Sequence, residues 1–150
     1  MPHEASSHVP AQYRMNVAGA LSAAPPWRGC LPDLKDRRIL VVEDEYMLMM
    51  DLEEALCAAG ASIAGPAACL SDAFDAAQRG PLDGAILDVR LGGEDVFPLA
   101  DHLRDRDVAF LLVTAVDRGD LPPRYVDAPR CAKPVDMDTA VANLAALIAG

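Results

Sequence analysis

The sequence predicts an α/β fold, a doubly wound parallel sheet with helices on both faces. Two observations carry this. From Arg38 onward, short unbroken apolar runs alternate with stretches of helical periodicity. The runs are short, β-branched and bounded by polar residues, as expected of parallel strands buried on both sides.

The first strand is Ile39-Leu-Val-Val42. A helix follows over residues 45–59, where Leu48, Leu52 and Leu56, with Ala55 and Ala59, share one face and Gly60 ends the run. Ser62-Ile-Ala-Gly65 makes a weak second strand. Leu70 to Arg79 makes a second helix, capped by Ser71 or a residue just before it and closed by Gly80-Pro81. Gly84-Ala-Ile-Leu-Asp88 is a third strand ending on an acid. The third helix fits Asp95 to Arg106, with Pro98 tolerated in its first turn. Val108 to Val113 is a fourth strand and Pro129 to Ala132 a brief fifth. The closing helix runs from Asp136 through Ile148. Pro122-Pro123 and Pro129 leave room between the last two strands for one or two helical turns at most, or an irregular loop.

Residues 1–35 differ from the rest. They hold five of the twelve prolines and carry two acids against three bases, without sustained periodicity. They read as an irregular extension, leaving residues 36–150 as the folded domain. Val17 to Ala24 is a short apolar run after Arg14, too brief for the proportions of a signal peptide. The remaining residues carry 21 acids against 10 bases, and the whole chain has a formal net charge of −10. That balance weighs against nucleic-acid or anionic-membrane binding, since both polyanions recruit Lys and Arg. Apolar runs are too short for a membrane span. Cys30, Cys57, Cys69 and Cys131 are scattered with no CxxC pair, and with three histidines they do not make a zinc site. Reduced thiols in a cytoplasmic protein are the expectation.

In such a sheet the chemistry gathers at the carboxyl ends of the strands. Those ends carry Glu43-Asp44-Glu45 after the first strand, Asp88 after the third, Thr114 after the fourth and Lys133 after the fifth. Carboxylates converging in one crevice raise each other's pKa unless a cation sits among them. Magnesium suits that place, being a hard ion that prefers oxygen ligands and keeps some of its waters. A hydroxyl, a lysine and a metal around one aspartate make a phosphoryl-transfer site. The carboxylate is the nucleophile, the metal and Lys133 neutralise the oxygens, and Thr114 donates a hydrogen bond.

Each residue also has a plainer role. Asp44 could cap the first helix, Asp88 could be a turn acid before Gly92-Gly93, Thr114 could bond its hydroxyl to backbone, and Lys133 could be a solvated surface lysine. Taken together, the plain roles require four coincidences at one sheet edge. His102 falls on an exposed helix face and reads as surface.

The runs Arg38-Ile-Leu-Val-Val-Glu-Asp-Glu45, Ala85-Ile-Leu-Asp-Val-Arg-Leu-Gly92, Val113-Thr114 and Lys133-Pro134 resemble the receiver domain of two-component response regulators. The resemblance spans about residues 37–149, and the successive separations fit it: 44 residues from Asp44 to Asp88, then 26 to Thr114 and 19 to Lys133. It implies a flavodoxin-like sheet of strand order 2-1-3-4-5. It implies that Asp88 is the phosphoacceptor, that Glu43 and Asp44 serve a magnesium ion directly or through water, and that the Arg90 backbone carbonyl completes the protein ligands. Thr114 and Lys133 would assist at the phosphoryl group. Within the family the chain looks most like single-domain receivers with a Leu-Pro-x-Arg-Phe run, kept here as Leu121-Pro-Pro-Arg-Tyr125. Many receivers carry an aromatic three residues before the lysine, coupled to the threonine. Here that position is Arg130, so the coupling is absent or rerouted.

The function implied is a stand-alone phosphoacceptor receiver of a phosphorelay. It would be phosphorylated by a histidine kinase or phosphotransfer protein and act by contact with a downstream protein or as a phosphate sink. It would be a monomer or weak homodimer and no enzyme beyond turnover of its own aspartyl phosphate. A magnesium-dependent phosphatase with an aspartate nucleophile is the alternative, but such hydrolases use a second acid two residues on, where this chain has Arg90. A phosphate-independent interaction module is the third reading. On the first helix Tyr46, Met47 and Met50 point away from the buried stripe, as a surface for the kinase's helical bundle or for the extension with its Trp27.

Overall fold

The computed structural model describes residues 33–150. The element order is β1 (Arg38–Val42), α1 (Tyr46–Ala58), β2 (Ser62–Ala67), α2 (Leu70–Gln78), β3 (Gly84–Asp88), β4 (Arg90–Leu91), β5 (Glu94–Asp95), α3 (Phe97–Asp105), β6 (Ala109–Thr114), β7 (Arg130–Ala132) and α4 (Met137–Ala149). Five strands form one parallel sheet in the order β2-β1-β3-β6-β7. Counting only its members, this is the expected 2-1-3-4-5 order.

Alternation along the strands builds two cores, because successive side chains point to opposite faces. Ile39, Val41, Ile86, Leu111 and Val113 meet Leu52 and Leu56 of α1 and Ala140, Val141 and Leu144 of α4. Leu40, Val42, Ala85, Leu87, Phe110 and Leu112 meet the alanines of α2 and Phe97, Leu99 and Leu103 of α3. Gly84 lets α4 sit close over β3, since a Cβ there would lie 2.8 Å from Cδ1 of Ile148 and that side chain would have to shift. Leu34, counted with the extension in the sequence reading, is buried and its N–H donates to the Ala59 carbonyl at 2.9 Å. Packing into the domain therefore starts before Asp36. The expected extension with Cys30, the apolar run at Val17–Ala24 and Trp27 lies outside the described residues.

Several local expectations need correction. α3 begins at Phe97, not Asp95, because residues 90–95 form a small antiparallel hairpin closed by Gly92 and Gly93, both at positive φ. β2 continues past Gly65-Pro66 to Ala67; it is an edge strand, where a missing N–H is tolerated. α2 starts after Cys69 with no side-chain cap bond, and Asp136 caps α4 rather than belonging to it, accepting from the Asp138 N–H. His102 is half-buried, edge-on to the Phe74 ring at 5.6 Å.

The prolines act as expected. In place of a helix between β6 and β7 stand two short 3-10 turns, Arg118–Asp120 and Pro123–Tyr125. Tyr125 anchors this segment. It is fully buried, stacks on Phe97 at 5.1 Å, and donates its hydroxyl proton to Asp101 of α3. Arg124 forks onto the same carboxylate with two bonds of 3.0 Å.

Candidate functional site

Parallel strands leave their carboxyl ends on one edge, and the register there fixes what meets. Asp88 pairs with Val113 and Thr114 with Ala132, so the residues after β1, β3, β6 and β7 share one rim. At β1 the backbone N–H of Glu43 donates to Ala67 at 3.0 Å, which carries the strand pairing to the edge and points Glu43 inward.

Glu43, Asp88 and Thr114 are buried, with 1%, 6% and 2% of their surface exposed, while Asp44 is exposed. Glu43, Asp44 and Asp88 each bring a carboxylate oxygen within 4.8 Å of the others'. The Lys133 ammonium reaches in from beyond β7. It lies 3.1 Å from Asp88 Oδ2 and 3.3 Å from Glu43 Oε2, and its outer contact is Glu45 Oε2 at 3.7 Å. Its own backbone N–H donates to the Thr114 carbonyl at 3.1 Å, tying the two residues together.

The plainer roles can now be weighed. Asp44 does not cap α1; Glu45 holds the cap position without a side-chain bond, and Asp44 Oδ2 accepts from the Gly92 N–H at 3.0 Å. Asp88 does have a turn contact, Oδ1 accepting from the Arg90 N–H at 3.3 Å, but its other oxygen is held by Lys133. Thr114 Oγ1 accepts from the Val116 N–H at 2.9 Å, so its own proton is left to donate. Lys133 is not a surface lysine.

Electrostatics reveal a charge deficit. Burial first, and the adjacent Asp88 second, push the Glu43 carboxyl up to about 7, against the smaller pull of Lys133. Burial works against the Lys133 ammonium, but Asp88 and Glu43 outweigh it and hold its pKa above the ordinary value. One ammonium does not balance three carboxylates. Glu43 Oε2 is moreover buried with no hydrogen-bond partner, its contact with Lys133 being an ion pair only. A clustered all-oxygen donor set with an unsatisfied buried lone pair fits a hard divalent cation.

Comparison with known proteins settles what kind of domain this is. No family model matches the chain. It is similar to SdrG from Sphingomonas melonis Fr1, with 36% identity, a TM-score of 0.66, and coverage of 75% of this chain and 97% of that one. The chain belongs to the receiver-domain family of response regulators. A second similar structure is the response regulator TrrA from Thermotoga maritima in complex with Mg2+ and BeF, at 28% identity over 63% of this receiver and 83% of that chain, TM-score 0.54. Among curated proteins the receiver is 34% identical, over 93 residues, to the transcriptional regulatory protein PdtaR of Mycobacterium tuberculosis. That match takes in 61% of this chain but 45% of PdtaR, so the chain spans under half of that relative.

Sequence reasoning missed one contributor in the receiver's rim, the Gly92 amide that holds Asp44. The one hint is the Gly92-Gly93 pair, which suits a two-residue hairpin turn; the flanking Arg90-Leu91 and Glu94-Asp95 are too short to show a strand period. Arg90 is exposed, unlike the buried Asp88 and Val89 before it. Among the described residues no helix is long and apolar enough to cross a membrane.

Proposed function

We propose that this receiver accepts a phosphoryl group on Asp88 from a histidine kinase or phosphotransfer protein, and then acts through contact with a downstream protein or drains the phosphate. The observation that carries the reading is the buried Asp88 carboxylate, ion-paired to Lys133 at 3.1 Å and set against two further carboxylates. In the reaction an Asp88 oxygen attacks phosphorus, the P–N bond to the donor imidazole breaks, and the imidazole keeps the electron pair. Lys133 faces the oxygen charge of Asp88 and the incoming group, and the Thr114 hydroxyl donates to a phosphoryl oxygen. Glu43, Asp44, Asp88 and the Arg90 backbone carbonyl are the residues that would hold magnesium. When bound, the ion supplies neutralisation of the phosphoryl oxygens.

The setting proposed is the cytoplasm, with the protein a monomer or weak homodimer. Support for the donor's landing place comes from α1. Tyr46, Met47 and Met50, exposed by 65%, 68% and 46%, form an apolar face beside the rim. Adaptable Met-rich surfaces suit a helical partner. A phosphatase is not supported, because the position two residues after Asp88 is the exposed Arg90, which offers no acid.

Incubation with magnesium and acetyl phosphate, followed by intact-mass measurement, tests the reading. Wild type should gain one phosphate mass and Asp88→Asn none. Labelling that persists in Asp88→Asn would overturn the assignment.

A further inference from the structure

The position where many receivers carry an aromatic is Arg130, and the structure gives its side chain a specific task. Arg130 sits on β7 opposite Leu112, two residues short of the Thr114–Ala132 pair. Its Nη1 donates across the sheet edge to the Val116 carbonyl at 3.1 Å. The N–H of the same Val116 donates to Thr114 Oγ1 at 2.9 Å. Val116 is thus gripped on both sides of its Cα, by a guanidinium on one peptide and by the site hydroxyl on the other.

We infer that Arg130 is a positioning residue for Thr114, acting through Val116. The inference rests on the proposed phosphoryl-accepting role of Asp88. A threonine hydroxyl rotates freely unless its lone pairs are engaged. With the Val116 N–H fixed on one lone pair, the O–H proton has fewer directions left, and those can include the phosphoryl group. Fixing Val116 needs something to hold the loop after β6, because Ala115 is exposed and Asp117 leads straight into a 3-10 turn. The Arg130 guanidinium supplies that hold in a half-buried place, where a charge-assisted bond to a carbonyl is stronger than a neutral one. Coupling of this kind is reciprocal. Whatever draws the Thr114 hydroxyl toward an oxygen at Asp88 changes the Val116 bond, and so changes the grip on Arg130. The charge of Arg130 then reports occupancy of the site at the β7 edge, without an aromatic.

The test combines labelling rates with a direct view of the relay. Acetyl phosphate labelling with magnesium is followed in wild type, Arg130→Met, Arg130→Lys, Thr114→Val and the double variant Arg130→Met/Thr114→Val. Loss of positioning should slow Arg130→Met by about tenfold. Arg130→Lys, which keeps the charge and a donor, should recover most of the rate. In the Thr114→Val background, Arg130→Met should have no further effect, the non-additivity of residues that act as a unit. In nuclear magnetic resonance spectra, magnesium plus beryllofluoride should shift the Val116 amide and the Arg130 side-chain resonances in wild type, and leave Arg130 unshifted in Thr114→Val. Equal rates for Arg130→Met and wild type, or additive effects with Thr114→Val, would overturn the inference. So would an Arg130 shift that survives in Thr114→Val. If Arg130→Met does not fold, the lysine variant and the spectra on Thr114→Val decide alone. Failure of the phosphoacceptor reading looks different, since wild type itself would then take no label.

Discussion

Replacing Tyr125 with Phe removes one hydroxyl and nothing else, and the structure sets the size of the effect. The ring is fully buried between Phe97 and Phe110, with the Arg104 guanidinium 4.3 Å from its centroid, so the stacking survives the change. What is lost is a hydrogen bond to the Asp101 carboxylate. A bond to a charged partner contributes roughly 1.5–3 kcal/mol when deletion orphans that partner. Here Asp101 keeps its fork to Arg124 and is 45% exposed, so the lower end applies, about 1.5 kcal/mol. For a domain of this size that is a fall of about 6 °C in Tm at neutral pH. Burial first and Asp101 second push the Tyr125 phenol up to about 12 from 10.0. The folded chain therefore keeps a proton that the unfolded chain releases, and the stability Tyr125 provides is full below pH 10 and lost as pH rises from 10 toward 12. By about pH 11 the loss is on the order of 1 kcal/mol, which removes most of the wild-type advantage. Urea unfolding of both proteins near neutral pH and near pH 11 measures the gap, and phenolate absorbance should show one late-titrating tyrosine in wild type that Tyr125→Phe lacks. A gap that stays constant with pH, or an absorbance curve that loses an early component instead, would refute the reasoning.

The magnesium reading predicts that Asp44→Asn keeps the bond from the Gly92 amide, since an amide oxygen still accepts, but shows a smaller rise in Tm on adding magnesium than wild type. Equal shifts would contradict the site as drawn. Met47→Glu with Met50→Glu should slow phosphorylation by the cognate kinase while sparing acetyl phosphate labelling, because both side chains are exposed on α1 and neither belongs to the carboxylate–lysine cluster. If both routes slow equally, the substitutions have damaged the site and the docking surface is misplaced.

The candidate site was legible because a parallel sheet turns long separations into neighbours in a predictable way. Each strand end delivers its next residue to the same edge, so Glu43, Asp88, Thr114 and Lys133 could be read together before any distance was known. The apolar runs mark the strands, while the strand order comes from the resemblance to receiver domains. Other features were illegible for physical reasons. A two-residue strand such as Arg90–Leu91 is too short to show a period, and it hid both the hairpin and the Gly92 amide. His102 lies on a helix whose pattern reads as exposed, and the approach of Phe74 from α2, distant in sequence, packs against its ring.

Arg130 shows the limit most plainly. The sequence marked it as a departure, a cation where an aromatic was expected, and implied that coupling to Thr114 was lost or rerouted. The rerouting runs through a backbone, and backbone atoms carry no residue identity. A carbonyl and an N–H of Val116 serve the guanidinium and the hydroxyl, and any residue but proline would provide both. Val116 could therefore not be singled out from its side chain. Substituting Val116 should for the same reason leave the relay intact, whereas removing the donor at Arg130 or the hydroxyl at Thr114, the side-chain groups that make the two bonds, should break it. The functional signal in this receiver thus lies half in residues that a sequence can show and half in peptide groups that only the fold brings into reach.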